Sequence, residues 1–141
     1  MKQTTLLAKI SLLGLLVLAL LFAVPTAYAF DGRSGDKIVI PADEVVTDDL
    51  YVAGEEIIID GTVQGDVIAA ARTIVINGVV EGDLWAAAQS VTVNGSVQDD
   101  ARIAGAVLTL GEGARVSDDL FSAGYSLETG KDSQVDGELA A

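Results

Sequence analysis

Gly65-Asp66-Val67-Ile68-Ala69-Ala70-Ala71-Arg72-Thr73-Ile74-Val75-Ile76-Asn77-Gly78-Val79-Val80-Glu81 is followed directly by Gly82-Asp83-Leu84-Trp85-Ala86-Ala87-Ala88-Gln89-Ser90-Val91-Thr92-Val93-Asn94-Gly95-Ser96-Val97-Gln98. The two stretches are copies of one 17-residue unit. Working outward, Asp49-Leu50, Asp66-Val67, Asp83-Leu84, Asp100-Ala101, Asp119-Leu120 and Glu138-Leu139 mark the same point of the unit, at spacings of 17, 17, 17, 19 and 19 residues. A unit this short cannot enclose a core of its own. Each copy must stack on its neighbours, and the fold is a solenoid.

Within a copy, apolar residues alternate with others for a few positions before a small or turn-forming residue interrupts, which is the strand period and not the helical one. The pattern predicts three very short strands per coil. The first carries pairs such as Val67 and Ala69 or Leu84 and Ala86, the second Ile74 and Ile76 or Val91 and Val93, and the third a single residue such as Val80 or Val97. All three face one interior. Asp60-Gly61, Asn77-Gly78 and Asn94-Gly95 close the second strand, where glycine reaches positive φ without penalty and Asn or Asp tolerates it. A hairpin would return antiparallel; recurrence in one chain direction builds parallel ladders one strand spacing apart, ~4.8 Å. The 19-residue copies carry both extra residues at this corner, as Gly111-Glu112-Gly113-Ala114-Arg115-Val116 and Gly130-Lys131-Asp132-Ser133-Gln134-Val135. The expected architecture is an all-β, single-stranded parallel β-helix of about five to six coils. A partial coil precedes the repeats, because Ile38, Ile40 and Val46 align with Leu108, Leu110 and Val116.

The start of the chain follows a different logic. Lys2 and Lys9 precede or flank an apolar run from Ile10 to Val24, then come Pro25 and Ala27-Tyr28-Ala29, with small residues where an export peptidase reads them. Residues 1–29 are expected to be a secretory signal cleaved before Phe30. The alternative is an uncleaved anchor, since the stretch Leu6 to Val24 is long enough to span a bilayer with its positive end inside. Either way the solenoid is expected outside the cytoplasm, in the cell envelope or beyond it. The domain reading is then 1–29 signal or anchor helix, 30–37 short linker, and 38–141 solenoid, open or truncated at its C-terminal end.

Lys2 and Lys9 are the only charged residues among the first 29, so the other 112 residues hold six basic and 21 acidic side chains, a net charge of −15. A body this acidic repels phosphate backbones, and nucleic acid is not an expected partner. With no cysteine there is no disulfide staple, and stability must come from stacking. The chain has no histidine either. Histidine general bases, thiol nucleophiles and ordinary zinc sites are thereby excluded, and neither a phosphate-binding glycine loop nor a dinucleotide fingerprint occurs. No catalytic residue, cofactor or nucleotide is expected.

Two outward features remain as candidates. Asp49, Asp66, Asp83, Asp100 and Asp119 lie on one edge of the stack, and Asp66, Asp83 and Asp119 are weak candidates for calcium, which takes hard oxygen ligands. The same carboxylates would equally serve as acceptors for backbone N–H groups at the corner. The second feature is the column Tyr51, Ile68, Trp85, Arg102 and Phe121, which alternation turns toward solvent. It is either a lateral contact face or a ladder of like side chains stacking on one another.

The unit Gly-Asp-(Val/Leu)-x-Ala-Ala-Ala-x-x-(Ile/Val)-x-(Ile/Val)-Asn-Gly-x-Val resembles that of the bactofilins, polymer-forming cytoskeletal proteins of bacteria, over roughly residues 38 to 141. The resemblance implies a right-handed parallel β-helix with a triangular core that polymerises end to end without nucleotide. An export signal departs from the usual cytoplasmic setting of that family. The poles of such a stack leave apolar residues and backbone groups open unless capped. The expected end-to-end interface pairs Ile38, Ile40 and Val46 at one pole with Leu127, Val135 and Leu139 at the other. The reading is therefore a non-enzymatic structural protein forming homopolymers at the cell envelope, associated with membrane or wall. Its alternative is an exported binding or adhesion module that uses the aromatic face.

Overall fold

The computed structural model describes residues 30–141. The helix expected as signal or anchor lies outside them. Six long strands, β1 (Phe30–Ile40), β3 (Asp49–Ile59), β5 (Val67–Ile76), β7 (Leu84–Val93), β9 (Ala101–Leu110) and β11 (Leu120–Thr129), alternate with six two-residue strands. The short ones are β2 (Val45–Val46), β4 (Thr62–Val63), β6 (Val79–Val80), β8 (Ser96–Val97), β10 (Arg115–Val116) and β12 (Gln134–Val135), and β13 (Leu139–Ala140) begins a further coil. The long strands and β13 form one seven-stranded sheet in chain order, and the short ones form a six-stranded sheet. Every pairing is parallel and in register with the repeat, as in Val67↔Leu84 through Ile76↔Val93. The chain is an all-β parallel solenoid of about six turns.

The first and second strands of each coil, expected as separate, form one continuous ladder. In β5 the inward residues are Val67 and Ala69, then Ile74 and Ile76. A straight strand keeps one parity, so the switch from odd to even means that the chain turns a corner between Ala69 and Ile74. Pairing persists through that turn, as in Ala71↔Ala88. The interior is filled by five columns, represented in one coil by Val67, Ala69, Ile74, Ile76 and Val80, all buried. Among the described residues no polar or charged side chain is buried. Each large side chain so enclosed stabilises by ~1.5–3 kcal/mol, which is what offsets the ordering of a fold without disulfides.

The corner after the second inward pair corrects one expectation. Among the described residues positive φ occurs at Gly113 (72°) and Asp132 (59°), both in the longer corners, and not at Gly61, Gly78 or Gly95. Those glycines are needed because successive coils approach too closely for a side chain: a Cβ on Gly78 would lie 1.8 Å from the Gly61 carbonyl oxygen. The residue before each glycine bonds along the stack instead. Asn77 Nδ2 donates to Asp60 Oδ1 at 2.7 Å, and Asn94 Nδ2 to Asn77 Oδ1 at 2.8 Å. The inserted residues bulge at the corner and leave the ladder intact, with Val97, Val116 and Val135 still in register.

Residues 30–37 are not a linker. They are the first part of β1, paired in parallel from Phe30↔Asp49 to Lys37↔Glu56. This register places Asp31 and Arg33 opposite Leu50 and Val52, in columns that are apolar in the following coils.

Candidate poles and a lateral groove

At the N-terminal pole of the described residues, those two polar side chains stand at the end of the stack. Arg33 Nη2 donates to Asp31 Oδ2 at 2.7 Å and Nε to Asp31 Oδ1 at 3.2 Å, a bidentate pair, and Nη2 also reaches Glu44. Arg33 occupies the Val52 column while Glu44 sits in the corner after Ile40, so the side chain stretches across the mouth of the coil. The hydrogen bond from Arg33 holds the Asp31 carboxyl below the usual carboxylate range. Reciprocally, the bonds to Asp31 and then to Glu44 raise the affinity of the guanidinium for its proton. Inward charges of this kind blunt a sheet edge, because pairing over them would desolvate the ions.

This pole corrects the expected end-to-end interface. Ile38, Ile40 and Val46 are 8%, 0% and 5% exposed; they belong to the core and offer no surface to a partner. The three residues expected at the other pole are placed differently. Leu127 and Val135 are half-buried against the core, and Leu139 is 50% exposed. Here the inward columns of β11 hold Leu120, Ser122, Leu127 and Thr129, and β13 pairs only with Leu120 and Phe121. Among the described residues, β11 from Ser122 to Thr129 has a partner strand on one side, β9, and none on the other.

The five residues expected on a lateral face are brought together as one ladder column, Tyr51↔Ile68↔Trp85↔Arg102↔Phe121. Arg102 lies between the two rings, its guanidinium carbon 4.7 Å from the Trp85 centroid and 5.6 Å from that of Phe121. It also donates to Asp100 Oδ2 at 2.6 Å and to Asp83 Oδ2 at 3.2 Å. Next to this column runs a second outward row, Ala53, Ala70, Ala87, Ala104 and Ala123, with no side chain long enough to cover the sheet. The step between the two rows is a groove of ≈ 640 Å³.

The aspartate row has a structural task. Oδ1 of Asp49, Asp66, Asp83, Asp100 and Asp119 each accepts the backbone N–H of the equivalent residue one coil on, at 2.7 to 3.2 Å. Asp83 and Asp100 use their other oxygen for Arg102. Of the calcium candidates, Asp66, Asp83 and Asp119 therefore each have one oxygen engaged by the backbone. The acidic groups that converge, within 4.8 Å, are Asp99, Asp100 and Asp118. Desolvation first, then the charges of Asp100, Asp119, Asp99 and Asp83, push the Asp118 carboxyl above the usual range.

Sequence reasoning missed the Asp31–Arg33–Glu44 closure. The signal was present: stepping back 19 residues from Asp49, the spacing of the later coils, lands on Phe30.

A comparison with curated proteins and another with solved structures found no match. The family model described as "Bactofilin: Polymer-forming cytoskeletal" matches residues 38–140, the span of the stacked coils from the second inward pair of β1 onward. With that match over most of its length and a parallel solenoid built on the matched repeats, the chain belongs to the bactofilin family of polymer-forming cytoskeletal proteins.

Proposed function

We propose that this chain is a non-enzymatic structural protein that assembles through its poles into filaments or scaffolds at the cell envelope. The observation that carries the reading is the last complete coil, where Leu127 and Val135 are half-buried, Leu139 is half exposed and, among the described residues, β11 from Ser122 onward has an unpaired edge. An edge of this kind is a template for another chain. Docking it on a second copy's matching pole buries apolar side chains on apolar side chains. Docking it on the N-terminal pole would instead strip water from Asp31, Arg33 and Glu44. The apolar joint is accordingly the stronger one. Pairs form first, and the polar pole links pairs into longer species.

Val135→Lys or Leu139→Lys tests this directly. Sedimentation velocity and negative-stain microscopy of either variant should show smaller soluble species than the parent; filaments of unchanged length would remove the proposal. Export rests on Lys2, Lys9, the apolar run to Val24 and Ala27-Tyr28-Ala29. A mass spectrum of the processed protein beginning at Phe30 would support cleavage, and one beginning at Met1 would favour an anchor through residues 6–24. A second reading, a binding role for the lateral face, is favoured by the groove beside Trp85 and Phe121.

A further inference from the structure

The lateral groove and the acidic corner beside it are two observations about one place. The groove is apolar along its floor, Ala87, Ala104 and Ala123, and along the rings of Trp85 and Phe121. Trp85 is 48% exposed and Phe121 40%. Tryptophan and phenylalanine left this open on a continuous apolar surface mark a contact site. The one cation of the face is already engaged, since Arg102 is held by Asp83, Asp100 and both rings.

At the corners just before the same strands, two to three residues ahead of the ridge in sequence, stand Asp99-Asp100 and Asp118-Asp119, which lead into Ala101-Arg102 and Leu120-Phe121. Among the described residues no basic side chain is paired with Asp99 or Asp118. Desolvation first, and then the neighbouring aspartates, raise the proton affinity of Asp118.

We propose that this face is a docking groove for a basic amphipathic segment of another protein, its apolar side chains on the alanine floor between Trp85 and Phe121 and its Lys or Arg residues on Asp99 and Asp118. Charge complementarity selects this occupant. A second copy would bring its own aspartate row against this one, and a chain of net charge −13 is repelled by phosphate-bearing surfaces. A neutral apolar segment would leave the acidic pair unanswered. This deepens the second reading above and is separable from assembly: the groove reaches the C-terminal pole at Ser122, Ala123 and Ala140, but Leu127, Val135 and Leu139, which carry the assembly reading, do not line it.

Trp85 is the only tryptophan of the chain, so its fluorescence reports on the groove without a label. The purified full chain is titrated with a synthetic peptide alternating Leu and Lys, with its Lys→Gln counterpart and with its Lys→Glu counterpart. The Lys peptide should produce a saturable change, and the Gln peptide should bind at least ~10-fold more weakly, a difference of ~1.4 kcal/mol. Asp99→Asn with Asp118→Asn should reproduce that loss for the Lys peptide, and Ala104→Arg, which fills the floor, should abolish the response. If Ala104→Arg loses its β-type circular dichroism, Ala87→Gln takes its place. No response to the Lys peptide, equal binding of the Lys and Gln peptides, or full response in the filled-groove variant overturns the proposal. A Trp85 change on diluting the protein alone would assign the groove to a second copy and overturn it as well. Val135→Lys should bind the peptide as the parent does, and groove variants should sediment as the parent does, so failure of the assembly reading and failure of this one give different results.

Discussion

The coil over Phe30–Val46 and the coil over Leu120–Val135 share one backbone and one set of columns, yet they finish the stack in opposite ways. In the first, the columns of Leu50 and Val52 receive Asp31 and Arg33, and Glu44 completes an ionic lid. Beneath it Ile38 and Ile40 are buried like any central residue. In the last coil the Leu50 and Val52 columns receive Leu120 and Ser122, and the Ile40 column receives Thr129; Ser122 and Thr129 are too short to reach across, and Leu127 and Val135 stay half-buried. A repeat therefore does not make its two ends equivalent. What distinguishes them is two or three side chains, and these decide which pole offers an apolar surface.

The largest expected effect comes from truncating one column at both ends. Ile38 and Leu127 stand in the same column, but one is enclosed and the other is not. Ile38→Ala should cost ~2–4 kcal/mol in urea unfolding, within the range for buried aliphatic truncation. Leu127→Ala should cost less, about 1–2 kcal/mol, because part of its side chain stays in water. Equal losses would mean that the last coil is covered in solution, and dilution would then separate the two costs.

Next is a swap that makes the first pole resemble a central coil. Replacing Asp31 with Leu and Arg33 with Val, the residues found one coil on, removes the lid and exposes an apolar mouth over Ile38 and Ile40. Larger species should appear in sedimentation at concentrations where the parent stays small. A double variant that sediments as the parent does would mean that the ionic lid does not govern the polar pole.

The stack itself was legible because its period is visible wherever the interior columns are apolar: Ile57, Ile74, Val91 and Leu108 announce one another at fixed spacing. The first coil broke that signal with charge. Asp31 and Arg33 read as linker residues because nothing local says that an ion pair stands in a hydrophobic column, and the third member of that closure, Glu44, lies 11 residues from Arg33. The aromatic column was legible from alternation. The alanine row beside it was also present in the sequence, but that it forms a groove depends on where the Trp85, Arg102 and Phe121 side chains lie, which the period of two does not specify. The need for glycine at Gly78 was legible, its cause was not: a clash with the next coil is a property of stacking, and the string Asn-Gly suggests only a turn.

Acidification should act on the first coil and the fifth in opposite directions. Asp31 ionises more readily in the fold than in the unfolded chain, so its contribution is present at neutral pH and is lost as pH falls through and below the ordinary carboxylate range. Asp118 has the reverse shift. The folded state takes up its proton before the unfolded state does, so stability rises as pH falls from neutral toward the carboxylate range. The melting midpoint of Asp118→Asn should show a smaller rise over that interval than the parent, and Arg33→Gln a smaller fall below it. Parallel profiles for the parent and Asp118→Asn would mean that solvent screens the crowded aspartates completely.

The smallest effect separates the two kinds of corner. The 19-residue coils bend through residues at positive φ, Gly113 in one and Asp132 in the next. A Cβ at Gly113 would meet nothing within 4 Å, so the position tolerates a side chain in space but not in backbone conformation. Asp132 already accepts that conformation at a cost that glycine would not incur. Asp132→Gly should therefore stabilise by about 0.5 kcal/mol, the gain from a relaxed φ less the extra freedom of the unfolded chain. The gain should show in urea unfolding only insofar as the last coil unfolds with the rest. If the coil frays first, the variant will leave the main transition unmoved and instead slow amide exchange over residues 130 to 135, which would make the open pole a separately melting unit and not merely an uncovered one.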